Sequence, residues 1–208
     1  MMVLVVAAAA AFYWWTLPRQ TPLNPEEQPG INQQLQFLFL EPLSGEGSPL
    51  SMKDIEGRVV LLTFWGPWCG PCRLELPHLA ELNKRYTAKS EFLLLAVACP
   101  PGHLADDVRS LREETFALLG RMHIELPIYY DPDTQTRFAV GRLLYPLEAE
   151  GESSDIRGFP TTILLDRRGV VRAVWVGYRP GTETEMERYI DTLLDEEASP
   201  SATSPDNS

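Results

Sequence analysis

The sequence has few of the residues that cross-link a small fold by disulfides or bind metal ions. Its 208 residues include only three cysteines and three histidines. So few cysteines, and an odd number of them, exclude a scaffold held together by several disulfides. Lys and Arg total 18 against 29 Asp and Glu, for a net charge of −11. A chain this acidic repels nucleic-acid phosphates, so no nucleic-acid partner is expected.

Long apolar runs are also absent, except for one at the N-terminus. Residues 1–17 carry no charged side chain and end in an aromatic cluster, Tyr13, Trp14 and Trp15. A run of this length is near the minimum that spans a bilayer, and aromatic residues favour the membrane interface. We predict a retained signal anchor. The alternatives are a buried core helix and a cleaved signal peptide, which the small residues 7–11 would allow but which usually has a Lys or Arg before the apolar run.

Segments of low apolar content flank the rest of the chain. Residues 18–34 are rich in Pro, Glu and Gln and predict a flexible linker. Residues 197–208 are rich in Ser and Pro, follow an acidic stretch, and predict a disordered tail. The globular domain is therefore predicted over residues 35–196.

Apolar patterns within this domain predict strands that alternate with helices. Residues 59–65 and 92–98 are continuous apolar runs typical of buried strands, and a helical pattern over 71–86, interrupted by Pro77, joins them. The other predicted elements are a hairpin of 36–40 with Leu50, a helix over 104–122, a strand over 126–130, a hairpin of 161–166 with 170–176, and a last helix opened by a Thr182–Glu185 capping box. Together they predict an α/β fold with a mixed central sheet and helices on both faces.

The motif Trp68-Cys69-Gly70-Pro71-Cys72 lies where the first buried strand gives way to a helix. Unpaired N–H groups and the positive end of the helix dipole lower the pKa of a thiol at that position. Cys72 follows one helical turn later, which is close enough for a disulfide. We therefore predict that Cys69 attacks substrate disulfides and that Cys72 resolves the intermediate.

A structural zinc half-site and an inert buried pair are the alternatives for this motif. Zinc needs further Cys or His ligands at suitable spacing. The remaining candidates are scattered along the chain: His78, Cys99, His103 and His123. No metal site is therefore predicted.

Residues 64–77, FWGPWCGPCRLELP, and the later Gly158-Phe159-Pro160-Thr161-Thr162 resemble the thioredoxin superfamily. Within it they are similar to the membrane-anchored thiol–disulfide oxidoreductases of the TlpA, ResA and CcmG type. The resemblance covers about residues 36–194 and implies a thioredoxin-like fold with an added N-terminal hairpin. It implies no cofactor beyond a redox-active Cys69–Cys72 disulfide.

The resemblance also implies roles for individual residues. Pro160 is expected to follow a cis peptide bond and to lie against the active-site disulfide. Phe159 is expected to present backbone groups to a bound substrate strand. The predicted substrate-binding residues are Trp68, Gly70, Pro71, Phe159 and Pro160.

Two further positions distinguish the chain from thioredoxin itself. Thr63 stands where thioredoxin has a buried aspartate, whereas Glu75, three residues after Cys72, matches a glutamate of ResA-like proteins. A partly buried carboxyl has a raised pKa and can exchange protons with Cys72, so Glu75 is predicted to be catalytic. The alternative is a surface residue favoured only by the helix dipole.

The remaining candidates have weaker signals. Cys99 is predicted to be a small core residue, and His78 a surface residue of a helix. Residues 143–155 form an acidic insertion relative to the family and are predicted to lie beside the active site. The insertion either directs partners with basic surfaces to the site or is a solvated loop.

The predicted function is therefore a monomeric protein-disulfide reductase, anchored in the cytoplasmic membrane with its domain on the periplasmic side. The Gly-Pro dipeptide of the motif matches reducing thioredoxin rather than stronger oxidants. The resemblance implies exported proteins as substrates, in particular apocytochrome c before haem attachment, and a membrane thiol carrier as electron donor. The alternatives are a Cu(I) delivery protein that uses the two thiolates, or a disulfide oxidase or isomerase.

Overall fold

The computed structural model describes residues 24–101, 108–146 and 155–196. The predicted anchor (1–17), the start of the predicted linker (18–23), His103 and Leu104, residues 147–154 of the acidic insertion, and the predicted tail lie outside the described residues. None of the helices within the described ranges is long and apolar enough to cross a bilayer.

The described ranges contain seven strands and five α-helices. The strands are β1 (Phe39–Pro42), β2 (Leu50–Ser51), β3 (Val59–Trp65), β4 (Phe92–Ala98), β5 (Ile128–Tyr130), β6 (Thr161–Leu165) and β7 (Val171–Val176). The helices are α1 (Met52–Ile55), α2 (Gly70–Tyr86), α3 (Val108–Met122), α4 (Gln135–Leu144) and α5 (Thr182–Asp195).

The strands form one mixed sheet in the order β2-β1-β5-β4-β3-β6-β7. β3 is parallel to β4 and antiparallel to β6, and all of its residues are buried. A continuous apolar run suits such a strand because both faces of the sheet are covered. β1 pairs antiparallel with β2, which confirms the predicted N-terminal hairpin, with its strands shifted toward the C-terminus.

Helices cover both faces of this sheet, as predicted. Successive strand side chains point to opposite faces. Leu61 and Trp65 of β3 therefore pack with apolar residues of α2, α3 and α5, whereas Leu62 and Phe64 pack with residues of α1 and α4. The helix α2 connects the parallel strands β3 and β4, and Pro77 lies within it.

The predicted Thr182–Glu185 capping box is wrong. The residue that precedes α5 is Gly181, in a left-handed conformation with φ +98°, and no side chain caps it. A capping box requires the Ser or Thr to stand just outside the helix, whereas Thr182 is already its first residue. Glu185 instead accepts a hydrogen bond from Trp175 Nε1 at 2.8 Å, and the Gly181 N–H donates to Glu183 Oε2 at 3.1 Å.

Part of the predicted linker packs against the domain. Residues 25–27 form a short 3₁₀ helix, and the Asn32 N–H donates to the Val171 carbonyl at 2.9 Å. The Val171 N–H in turn donates to the Gln33 carbonyl at 2.9 Å. These bonds satisfy the outer edge of β7 at its first residue, so the packed domain includes this segment as well.

The antiparallel pairing of β3 and β6 positions the candidate site. Its register places Phe64 opposite Thr161, so the end of β3 and the beginning of β6 lie at the same edge of the sheet. The Cys-x-x-Cys motif follows β3, and the Phe159-Pro160 segment precedes β6. Two stretches that are about 90 residues apart in the chain thereby meet.

Candidate active site

Cys69 and Cys72 form a disulfide at the N-terminus of α2, with their Cα atoms 5.3 Å apart. Cys69 is the residue that caps the helix, and its sulfur accepts a hydrogen bond from the Cys72 N–H at 3.2 Å. Cys69 is 5% exposed and Cys72 only 1%. The geometry therefore makes Cys69 the outer sulfur and places it where the helix dipole stabilises a thiolate.

The first turn of α2 suits this arrangement. Gly70 and Pro71 follow Cys69 and are both exposed. Pro71 lacks an N–H, and no intrahelical acceptor is available for that group at the start of a helix, so the proline costs no hydrogen bond. On its C-terminal side within the motif, Cys69 is thus followed by two small, exposed residues.

The Phe159–Pro160 peptide bond is cis, which confirms the cis bond expected before Pro160. The carbonyl of Pro160 accepts a hydrogen bond from the Gly177 N–H at 2.7 Å. The Phe159 ring packs edge-to-face on Trp68, with ring centroids 5.1 Å apart. This contact places the loop directly beside the Cys-x-x-Cys motif.

Trp68 is held over the protein surface by Gly66, which the sequence analysis did not single out. Trp68 is 41% exposed, and its Nε1 donates to the Cys99 carbonyl at 2.9 Å. A Cβ atom at Gly66 would overlap the indole and lie 2.9 Å from that same carbonyl oxygen. Only glycine leaves this space free. The sequence feature that could have indicated this role is the position of Gly66 between a buried strand and the Cys-x-x-Cys motif.

Glu75 is buried on the inner side of α2, one turn after Cys72, and only 2% of it is exposed. Burial raises its pKa, the Thr162 hydroxyl opposes the rise and the nearby charge of Glu183 adds to it, which gives a pKa of about 8. Neither carboxyl oxygen has a well-aligned hydrogen bond among the described residues. The alternative interpretation of Glu75 as a surface residue is therefore wrong.

Two threonines lie across the β3–β6 pairing on the same face of the sheet as Glu75. Thr63 and Thr162 are directly opposite each other, and the Thr162 hydroxyl donates to Thr63 Oγ1 at 2.8 Å. Both side chains are fully buried. A neutral hydroxyl thus fills the place of the thioredoxin aspartate, and the acid of this site comes from the helix instead.

Three further polar residues lie near Glu75, one on α2 and two around the start of α5. His78 is half-buried, and its ring stacks on Tyr178 with centroids 5.7 Å apart. The Tyr178 hydroxyl donates to Glu183 Oε2 at 3.1 Å. Burial, this hydrogen bond, and the charges of Glu183 and Glu75 raise the Tyr178 pKa. His78 is therefore a packed residue rather than a free surface residue.

Cys99 is a core residue, as predicted. It is 3% exposed, and burial raises the pKa of its thiol to about 12. Such a thiol carries almost no thiolate at neutral pH. No cluster of three or more His, Cys, Asp or Glu side chains that could hold a metal ion occurs in the described part of the chain.

A family model and similar proteins of known name all match this chain over most of its length. A family model described as Redoxin matches residues 29–190. The thioredoxin-like protein YneN of Bacillus subtilis is 32% identical over 161 residues, which cover 76% of this chain and 78% of that protein. The thiol-disulfide oxidoreductase ResA of Bacillus cereus is 26% identical over 150 residues, covering 71% of this chain and 70% of ResA.

Solved structures agree on the fold. A Chlorobium tepidum protein assigned as the thiol:disulfide interchange protein DsbE superposes with a TM-score of 0.59 at 27% identity, covering 80% of this chain and 97% of that one. A secreted thiol-disulfide isomerase of Corynebacterium glutamicum has a TM-score of 0.59 at 23% identity and covers 86% of this chain and 95% of that one. The predicted thioredoxin-like fold is thereby confirmed.

Substitution of Gly66 by alanine is expected to displace Trp68. The added methyl group must push the indole off the Cys99 carbonyl, at a cost of about 1–3 kcal/mol in the free energy of unfolding. Denaturant unfolding and tryptophan fluorescence measure both effects. Gly70→Ala is the control, because a Cβ atom there meets nothing within 4 Å. Equal stabilities for the two variants would contradict the assigned role of Gly66.

Glu75→Gln is expected to change how stability depends on pH. Below about pH 4.5 the carboxyl is protonated in the folded and unfolded chains alike, and glutamine mimics it. As the pH rises toward the folded value of about 8, only the unfolded chain loses the proton, so the parent protein loses stability. The oxidised variant should match the parent near pH 4 and exceed it by about 4 kcal/mol near pH 8.5.

Denaturant unfolding of the oxidised proteins across this pH range measures the difference. Glu81→Gln is the matched control, because Glu81 is an exposed residue of the same helix. A constant stability difference between Glu75→Gln and the parent at all pH values would show that Glu75 is not buried as a neutral acid.

Proposed function

The chain belongs to the Redoxin family, and from this premise we propose that it is a thiol–disulfide oxidoreductase that reduces disulfides in exported proteins. The observation that carries the proposal is the Cys69–Cys72 disulfide at the N-terminus of α2, with the buried acid Glu75 one turn further on. The names of the relatives ResA and YneN support the same chemistry.

Reduction of a substrate would proceed in two exchanges. The Cys69 thiolate attacks one sulfur of the substrate disulfide, forms a mixed disulfide, and releases the other substrate sulfur as a thiolate. The Cys72 thiolate then attacks the Cys69 sulfur, which forms the Cys69–Cys72 disulfide and releases the second substrate thiolate. The substrate gains two electrons, and the two cysteines lose them.

Glu75 supports the second exchange in this proposal. Cys72 is almost completely buried and reacts only as a thiolate, so its proton must go to a nearby base. The fraction of Glu75 that is ionised, which is the minor form at neutral pH, accepts that proton. A pKa of about 8 in the oxidised protein means that the carboxyl then keeps it at neutral pH.

The Phe159-Pro160 segment and Trp68 supply the substrate surface in the proposal. They flank the disulfide, and the exposed edge of Trp68 together with the half-buried Phe159 ring forms an apolar wall. An extended segment of the substrate can add its backbone beside Phe159. Gly70 and Pro71 contribute contacts at the exposed start of α2.

We further propose the cellular setting that the sequence resemblance implies. Residues 1–17 would anchor the chain in the cytoplasmic membrane, residues 18–23 would link the anchor to the domain, and the domain would act on the periplasmic side as a monomer. The Cys69–Cys72 disulfide would be reduced by a membrane thiol carrier. The substrate proposed is apocytochrome c before haem attachment.

The equilibrium reduction potential of the Cys69–Cys72 pair tests the direction of catalysis. A reductase that depends on a membrane electron supply should have a potential below about −230 mV. The measurement poises the protein in thiol–disulfide buffers and quantifies the free thiols by alkylation. A potential above about −150 mV would instead indicate an oxidase or isomerase and would remove the cytochrome assignment.

Variants of the two cysteines and of Glu75 test the order of the steps. Reduced Cys72→Ser should accumulate a mixed disulfide with an oxidised protein substrate, because no second thiol can resolve it. Cys69→Ser should form none. Glu75→Gln should form the intermediate normally and resolve it about a hundredfold more slowly at neutral pH. Gel analysis after acid quenching follows all three, and rapid resolution by Glu75→Gln would rule out the proton transfer.

A further inference from the structure

A buried arginine lies on the face of the sheet opposite to Glu75. Arg137 of α4 is 2% exposed, and its Nε lies 2.8 Å from Oδ1 of Asp155, which is 5% exposed. The Arg137 N–H also donates to Asp131 Oδ2 at 2.8 Å, just beyond the end of β5. One residue thus joins α4, β5 and the chain that leads to the Phe159-Pro160 segment.

Asp155 lies four residues before Phe159 and is held from two directions. Its Oδ1 accepts a hydrogen bond from the Ile156 N–H at 2.8 Å in addition to the ion pair with Arg137. Next to it, the Arg157 guanidinium lies over the Tyr145 ring, 4.7 Å from the centroid. The two ends of the acidic insertion are therefore fastened to α4 and to each other directly before the loop.

Arg137 also lies near Cys99, the residue whose carbonyl holds Trp68. The side chain of Arg137 lies near the Cys99 thiol, where its positive charge opposes the rise in the thiol pKa that burial causes. The carbonyl of Cys99 is the acceptor for Trp68 Nε1. Arg137 consequently lies near the residue that holds Trp68 and pairs with Asp155, which leads to Phe159. Trp68 and Phe159 are the two aromatic residues that meet beside the disulfide.

An ion pair at this depth contributes little net stability, because desolvation of the two charges offsets their attraction. Apolar residues of similar size would fill the same space. What they would not supply is an electrostatic link between α4 and the loop. The arrangement is thus better explained by the geometry that it fixes than by the stability that it adds.

We propose that Arg137 is a positioning residue for substrate binding, which holds the Phe159-Pro160 segment and Trp68 at a fixed separation through Asp155 and Cys99. The proposal rests on the proposed function, because it assumes that protein substrates bind between these two aromatic residues. A small disulfide needs only the Cys69 sulfur and does not depend on the separation.

The test compares two substrates in single-turnover oxidation of the reduced full-length protein, with insulin as the protein disulfide and oxidised glutathione as the small one. Arg137→Met and Asp155→Asn should lower the second-order rate constant for insulin about tenfold. The rate constant for glutathione should change less than twofold. Intrinsic tryptophan fluorescence follows both reactions.

Two further variants separate positioning from stability. Leu193→Ala removes a buried side chain of α5 on the other face of the sheet, and it should lose stability without changing the ratio of the two rate constants. The double variant R137M/D155L replaces both charges by apolar groups and should recover stability relative to either single variant. Its rate constant with insulin should nevertheless stay low.

The outcomes distinguish the two proposals. Recovery of the insulin rate together with stability in R137M/D155L, or an equal loss with both substrates, would make Arg137 purely structural and overturn the inference. A parent protein that reduces neither substrate would refute the proposed function, and the inference with it. A loss confined to insulin supports both.

Discussion

The antiparallel register of β3 and β6 is the constraint on which the site depends. It places Thr63 opposite Thr162 and brings the end of β3 to the beginning of β6. A slip of one residue would turn the side chains of β6 to the opposite face. Thr162 would then leave the side of α2, and the loop that carries Phe159 would no longer align with Trp68. The redox motif alone therefore does not make the site; the sheet pairing completes it.

The two faces of this sheet bury charged residues in different ways. Among the described residues, none of opposite charge is close enough to hold Glu75 ionised, so burial favours its neutral form and raises its pKa to about 8. Arginine cannot lose its proton within a folded protein, so a buried guanidinium needs carboxylates. The Arg137 guanidinium forms an ion pair with Asp155 at 2.8 Å, and the Arg137 backbone N–H donates a hydrogen bond to Asp131. A carboxyl that can be neutral suits proton transfer, whereas a permanent charge suits a fixed link.

The sequence predicts the local features of this protein and misses those that depend on distant contacts. Strands β3 and β4, helix α2 and the Cys69–Cys72 pair follow from apolar runs and one motif within 40 residues of chain. The helix α4 was not predicted, because it is short, begins after a left-handed Thr134 and contains Gly141. Arg137 gives no local signal at all, since only the fold brings Asp155 to it. The predicted capping box is wrong for a different reason. The Thr182–Glu185 spacing matches the motif, but the residue just outside the helix is Gly181, so Thr182 cannot cap it.

Burial of Glu75 raises the question of how an acid that is 2% exposed can serve repeated turnovers. The proposed exchanges answer it by proton balance. When Cys72 is oxidised, its proton passes to Glu75; when the disulfide is reduced again, Cys72 leaves as a thiolate and takes a proton back. The proton thus moves between two neighbouring buried groups, and no exchange with solvent is needed in either half of the cycle. Glu75 can therefore act in every catalytic cycle although it is buried between α2 and the sheet. Burial also brings the pKa of its carboxyl close to that of a thiol, so that the proton can be transferred in both directions.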